Sequence, residues 1–208
     1  MQRVDKKKRG MVGVEAAIIL IAFVIVAAAF SFMVVNMGLF ATQRGRDTIS
    51  QGVQEASTPL TIDGSILIKG QNTTHINAIV LPLKTLGVKY VPMANETTVV
   101  TLRIANKTAY ANIYYGINST STQGKTYTEL LDGLNQTKTL AMLFIENSNG
   151  DESLNSQEKG YLIIKLSDND CAQKRDQVFI EIRPESGAPL SIEFVVPSEL
   201  SPGWMTLG

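Results

Sequence analysis

The sequence predicts an α+β protein, a long amino-terminal hydrophobic α-helix followed by an antiparallel β-sandwich, immunoglobulin-like, as an outer domain. Three observations predict it. Ala16 to Val35 is an apolar run of 20 residues broken only by Ser31. After Pro59 the hydrophobic period changes from helical to alternating. The rest of the chain then carries eight or nine short segments rich in branched and aromatic residues, separated by Asn, Gly, Ser and Thr clusters.

Length and charge bound the answer further. The 208 residues suffice for one ordinary domain with an appendage, and 44% hydrophobic with 18% charged residues is the composition of a folding chain. Lys+Arg 19 balance Asp+Glu 19, which argues against a nucleic-acid partner, because that footprint needs a basic excess. The balance is uneven along the chain. Residues 1–10 hold Arg3, Lys6, Lys7, Lys8 and Arg9 against Asp5, a net +4, so the remainder sums to −4. Cys171 is the only cysteine, so an internal disulfide and any site built on several thiolates are excluded.

The first element follows from length. At about 1.5 Å per residue the run from Ala16 to Val35 reaches the roughly 30 Å of a hydrocarbon core. Lys6 to Arg9 precede it, so the positive-inside rule leaves the amino terminus in the cytoplasm and exports the body. The run exceeds the roughly 7–15 apolar residues of a secretory signal. Leu39, Ile49, Val53, Ala56 and Leu60 continue at mostly helical spacing, and Ser57-Thr58-Pro59 ends the pattern because proline cannot continue a helix. A helix of about 45 residues, on the order of 65 Å, is about twice what a bilayer needs and calls for protein partners.

Single residues stand out within it. Glu15 is a carboxylate at the head of an apolar helix, where an unpaired charge costs several kcal/mol. Gly38, Gly45 and Gly52 fall seven apart, a seam along which another helix can approach closely. Asn36 would either bond a neighbouring helix or be solvated at headgroup level.

Lys-Lys-Lys-Arg-Gly at 6–10, Met-Val-Gly-Val-Glu-Ala-Ala-Ile-Ile-Leu-Ile-Ala-Phe at 11–23 and Val-Asn-Met-Gly-Leu-Phe-Ala-Thr-Gln-Arg at 35–44 resemble the archaellins, the archaeal flagellins of the type IV pilin-like superfamily. The resemblance is specific over residues 6 to about 68. It implies that residues 1–10 are a prepilin-type (class III) signal peptide, cut by a prepilin-type signal peptidase between Gly10 and Met11. Residues 11–58 are then a hydrophobic helix, membrane anchor before assembly and filament core after it, and residues 59–208 an extracellular sandwich. It also implies that Glu15, then fifth in the mature chain, pairs with the new amine of a neighbour. The local alternative is that Glu15 only caps its own helix, where the macrodipole favours a carboxylate.

The body is read on its own residues. Expected strands are Ser65–Lys69, Ile76–Leu83, Val88–Val91, Thr97–Ala105, Ala111–Gly116, Leu140–Glu146, Tyr161–Leu166, Gln177–Arg183 and Leu190–Val196, with no second helix of useful length. Five sequons, at Asn72, Asn95, Asn106, Asn118 and Asn135, make N-glycans expected partners of an exported surface. Asn147, Asn149, Asp151, Asn155 and Glu158 place oxygen ligands at positions 1, 3, 5, 9 and 12 of a calcium-type loop, although Glu152 occupies the position that needs glycine. Calcium is the cation that spacing would suit, and a solvated acidic hairpin is the alternative; Asp168, Asn169 and Asp170 would supplement such a site. No other cofactor is required. No nucleophile elbow, Walker loop or paired metal-binding histidines occur, so an enzyme is not expected. His75 reads as a surface residue, Cys171 as unactivated, and Trp204 with Met205 as packing at the sandwich edge.

The function expected is that of an archaellin. Copies polymerise through the amino-terminal helix, with the help of the archaellum assembly machinery, into an extracellular filament for swimming. An adhesive type IV pilin subunit, or a membrane-tethered extracellular binding domain, are the alternatives left open.

Overall fold

Residues Lys7–Ala56 form one continuous helix, α1, of 50 residues. Residue choice explains its extent: no proline occurs before Pro59, which removes a backbone donor and disfavours a helical Thr58. The computed structural model describes residues 7–105, 107–118, 122–134 and 137–207, with side chains from residue 13 onward except at Gln54. The chain divides between Val53 and Gln54 into two compact units, the helix and the body.

The body begins with the strands β1 (Leu60–Ile62), β2 (Ile66–Gly70), β3 (His75–Thr85), β4 (Tyr90–Pro92), β5 (Val99–Ile104), β6 (Thr108–Tyr110) and β7 (Tyr114–Asn118). A short helix α2 (Tyr127–Asp132) follows. Then come β8 (Leu140–Glu146), β9 (Ser153–Asn155), β10 (Lys159–Lys165), β11 (Ala172–Gln173), β12 (Gln177–Arg183), β13 (Leu190–Val195) and β14 (Gly203–Leu207). The larger sheet runs β14-β2-β3-β10-β8-β7, with β1 and β11 also paired to β3; the smaller runs β13-β12-β5-β6; β4 and β9 form a separate pair.

Burial follows from position in the layers. In β12 the burial alternates, with Val178, Ile180 and Ile182 inward, and β5 matches it with Val100, Leu102 and Ile104, as expected of a sheet wet on one face. The central strands of the larger sheet are buried on both faces. From Ile79, Leu81, Leu143 and Leu162 one face meets the smaller sheet, while Val80, Phe144 and Ile163 on the other lie under α2 residues Leu130 and Leu131 and under Leu134. Between Lys69 and Gly70 the partner on β3 jumps from Ala78 to Ile76, so Asn77 is an extra residue. That bulge reverses the alternation and lets Ile76 join the face of Ile79.

The mostly antiparallel sandwich behind a long apolar helix is the expected α+β class. Three details differ from expectation. The second helix exists, brief as it is: Thr126 caps α2 by accepting from Glu129 N while the Glu129 carboxylate accepts from Thr126 N, a capping box. And β7 pairs with β8 in parallel. The physical reason is the connection, since parallel neighbours need a long crossover and residues between Asn118 and Leu140 supply one that carries α2. The short strands β1, β6, β9, β11 and β14 were also beyond the expected set, and β14 seats Trp204 opposite Lys69 of β2. Trp204 packs edge-on against Tyr127 at 5.8 Å and its indole N–H donates to Thr128 Oγ1 at 2.9 Å, so it closes an edge as expected.

Candidate functional site

The first candidate surface is α1 itself. Its described side chains are exposed along the whole length, and the most apolar 18-residue stretch within Gly13–Val53 has a mean hydropathy of 3.1 with none of it buried. Ile18, Ile19, Leu20 and Ile21 are consecutive and all more than half exposed, so apolar side chains point to every side. A helix apolar all round requires lipid or other helices about it.

Polar groups on α1 are arranged to tolerate such surroundings. Thr42 Oγ1 donates to Gly38 O at 2.8 Å and Thr48 Oγ1 to Arg44 O at 2.9 Å, which satisfies both hydroxyls within the helix. The Arg44 guanidinium lies 4.4 Å from the centre of the Phe40 ring. Asn36 sits among Phe32, Met33, Met37 and Phe40, its amide the polar group in an apolar stretch. A Cβ added at Gly13, Gly38, Gly45 or Gly52 would meet nothing within 4 Å, so no contact within the chain requires those glycines. Glu15 is exposed and, among the described residues, forms no ion pair. Gly10 and Met11 lie within the helical backbone, ahead of the first described side chain.

On the body, the sequons differ in setting. Asn72 is exposed between β2 and β3, and Asn95 is exposed in the turn after β4. Asn118, at the end of β7, is half-buried and its amide donates to Met142 Sδ at 3.1 Å. Asn106 and Asn135 lie outside the described residues.

The loop from Asn147 to Glu158 is built around its carboxylates. Glu158 is buried and accepts from the backbone N–H of Asn149 and of Asn155, both at 2.9 Å. Asp151 Oδ2 accepts from the Asn149 amide at 2.8 Å and the Asn155 amide at 3.2 Å, and these bonds hold its carboxyl below the usual range. Asn147 supplies a left-handed turn at φ 59°. A cation there would share those carboxylates with the N–H donors already bonded to them. Among the described residues no three His, Cys, Asp or Glu side chains converge as a ligand set.

Asp170 has a different place from the supplementary ligand expected of it. It is buried, and its Oδ2 accepts from Tyr110 Oη at 2.8 Å, Thr139 Oγ1 at 2.5 Å and Ser167 Oγ at 2.6 Å, while Asp168 and Asn169 stay exposed. Burial alone would raise its pKa; the hydrogen bonds from Ser167, Thr139 and Tyr110 outweigh it and lower the pKa. Its hydroxyl partners come from up to 60 residues away, so nothing local marks it. Cys171, next to it, is buried, and burial pushes its thiol up, the reverse of a reactive thiolate. His75 accepts or shares a 3.0 Å contact with Thr74 Oγ1 at the surface.

A hollow of about 640 Å³ opens between the Asn95 turn, β7 and the loop at Asn147, lined among others by Asn95, Tyr115, Asn118, Gln123, Asn147 and Asp151. Sequence reading missed it, because it forms from three separated segments.

A model of the archaeal-type flagellin family matches residues 10–194. The chain is 36% identical to a probable flagellin of Aeropyrum pernix, over 95% of this chain and 97% of that one. It is 31% identical to a probable flagellin of Archaeoglobus fulgidus, over 94% and 93%. In fold it is similar to an archaeal flagellin from Methanocaldococcus jannaschii, with a TM-score of 0.58 at 13% identity over 71% of this chain and 94% of that one. It is also similar to the archaeal flagellum of Methanospirillum hungatei, with a TM-score of 0.53 at 20% identity over 93% and 98%.

Proposed function

We propose an assembly mechanism that proceeds from one premise: the chain belongs to the archaeal-type flagellin family and is a structural subunit of the archaellum filament, which is extracellular. The observation that carries the mechanism is the exposure of α1 on every side. Before assembly the run from Ala16 to Val35 lies in the cytoplasmic membrane, with Lys6 to Arg9 on the inner side. A prepilin-type peptidase cuts between Gly10 and Met11, removing the net +4 leader. The freed helix then passes from lipid into a bundle of copies of itself, a transfer between two apolar settings that need not wet the run. Head-to-tail contacts that do not close give an open helix.

Glu15 has a task in that transfer. It is the only charged residue between Gly10 and Gln43, and the amine created at Met11 of a neighbouring copy would offset its desolvation. Asn36 and the seam at Gly38, Gly45 and Gly52 contribute interhelical contacts. The exported body carries N-glycans at its exposed sequons Asn72 and Asn95, and the Glu158 carboxylate braces the loop from Asn147 to Glu158 by accepting two of its N–H groups.

Mass spectrometry of the amino-terminal peptide from purified filaments tests the scheme. A chain beginning at Met11 is expected; one beginning at Met1 overturns it. Glu15→Gln should leave membrane insertion intact and reduce filament yield by at least tenfold in electron micrographs.

A further inference from the structure

The hollow beside β7 has an acceptor asparagine on its rim and a bare aromatic ring in its wall. Tyr114 Oη donates to Met93 O at 2.5 Å, which ties the turn before Asn95 to β7. Gly116, at φ +108°, lies beside Asn95, where an added Cβ would just reach van der Waals distance, 3.4 Å from the Asn95 Cβ. Thr97 N donates to Ala94 O at 3.1 Å, so Asn95 stands at the tip of a turn.

Tyr115 projects outward because Tyr114 and Gly116 are the buried positions of the strand, and it is 70% exposed. The opposite wall is rigid, since Glu158 and Asp151 pin the loop that presents Asn147. The volume, about 640 Å³, is that of a ligand cleft.

The lining chooses among ligands. Among the described residues it has no lysine or arginine, which disfavours a phosphate or another anion, and its amides and carboxylates disfavour a lipid tail. Hydroxyl groups that both donate and accept match amides and carboxylates, and the CH face of a sugar ring matches an exposed phenol ring.

We propose that the N-linked saccharide on Asn95 folds back into this hollow of its own chain, stacking on Tyr115 and hydrogen bonding to Gln123, Asn147 and Asp151. The inference rests on the reading that Asn95 is glycosylated. Tethering makes weak contacts sufficient, because a ligand attached at the rim has an effective concentration of order millimolar. Asn118 then serves as wall, its amide given to Met142, and carries no saccharide.

The test uses filaments from the native cell, carrying the wild-type chain, Asn95→Gln or Tyr115→Ala, with site occupancy measured by mass spectrometry and amide exchange measured over residues 147–152. Asn95 occupied, Asn118 unoccupied and exchange about tenfold slower in the wild type than in Asn95→Gln are expected. Tyr115→Ala should keep full occupancy at Asn95 yet exchange as fast as Asn95→Gln, with β12 unchanged as a folding control. An occupied Asn95 with the same exchange in all three chains overturns the docking and leaves the glycosylation standing. An unoccupied Asn95 overturns the docking together with the reading beneath it, and a saccharide on Asn118 overturns the docking alone.

Discussion

Tyr110 Oη donates a 2.8 Å hydrogen bond to Asp170 Oδ2, joining the edge strand β6 of the smaller sheet to the turn that leaves β10 in the larger one. Thr139 and Ser167 donate to the same oxygen, so one buried carboxylate gathers three hydroxyls and fastens the two layers there.

Removing that charge should loosen the body. Asp170→Asn keeps the shape but not the ionised acceptor, and hydrogen bonds to charged groups contribute about 1.5–3 kcal/mol each before compensation. A loss of roughly 2–3 kcal/mol at neutral pH is expected in denaturant unfolding of the detergent-solubilised chain. The pH dependence has a definite sign. The folded pKa of Asp170 is lowered, so its contribution is present above the unfolded value, about 3.9, and is lost as pH falls from there through the folded value. The gap between the wild type and Asp170→Asn should therefore close below about pH 4. A gap of the same size at pH 3 would show that packing, not charge, accounts for it.

Gly187 guards the exit of the long helix. It adopts φ +94°, and a Cβ there would lie 2.8 Å from both Pro59 Cδ and Ser57 O. The Ala188 N–H donates to Ser57 O at 3.0 Å beside it. Gly187→Ala combines an unfavourable backbone with a clash against main chain, and should destabilise the body by at least about 2 kcal/mol. Thermal unfolding followed by circular dichroism would show the shift; an unchanged midpoint would mean that the segment moves aside freely.

Trp204 fastens α2 to the larger sheet. It touches Tyr127 edge-on, and Tyr127 in turn meets Tyr161 at 5.5 Å. Trp204→Ala should cost roughly 3 kcal/mol, and Trp204→Phe, which keeps the ring contact but loses the bond to Thr128, about 1 kcal/mol. Equal losses for the two substitutions in denaturant titrations would assign the effect to the hydrogen bond instead.

These residues also mark what can be read from sequence. The helix α1 is legible because one apolar run and one proline define it, and β3, β8, β10 and β12 are legible because branched and aromatic residues together dominate them. The three-residue strands β1, β6 and β9 are too short for a period to register. Helix α2 carries its capping box in Thr126 and Glu129, a local signal that the surrounding Thr- and Asn-rich stretch obscures. The parallel pairing of β7 with β8 and the hydroxyls around Asp170 depend on which distant segments meet, which no local pattern encodes. The calcium-type spacing from Asn147 to Glu158 is legible as a turn; oxygens of Asn149, Asp151 and Glu158 accept N–H donors there, and spacing alone does not separate that use from cation binding.

The glycine seam permits a prediction in which folding and assembly move in opposite directions. Gly45 is exposed in the helix interior with nothing within 4 Å of its added Cβ. Glycine there is about 1 kcal/mol less favourable than alanine and nearly as much less than leucine, so Gly45→Leu should raise the helicity of the detergent-solubilised subunit. If copies approach one another along Gly38, Gly45 and Gly52, the same side chain blocks that approach, and filaments should be lost while the subunit becomes more helical. Gly45→Ala, which adds one methyl, should fall between. Circular dichroism of the subunit and electron microscopy of the cells separate the two effects. Filaments of normal length from Gly45→Leu would remove the seam from the interface and leave the apolar faces of α1 as the packing surface.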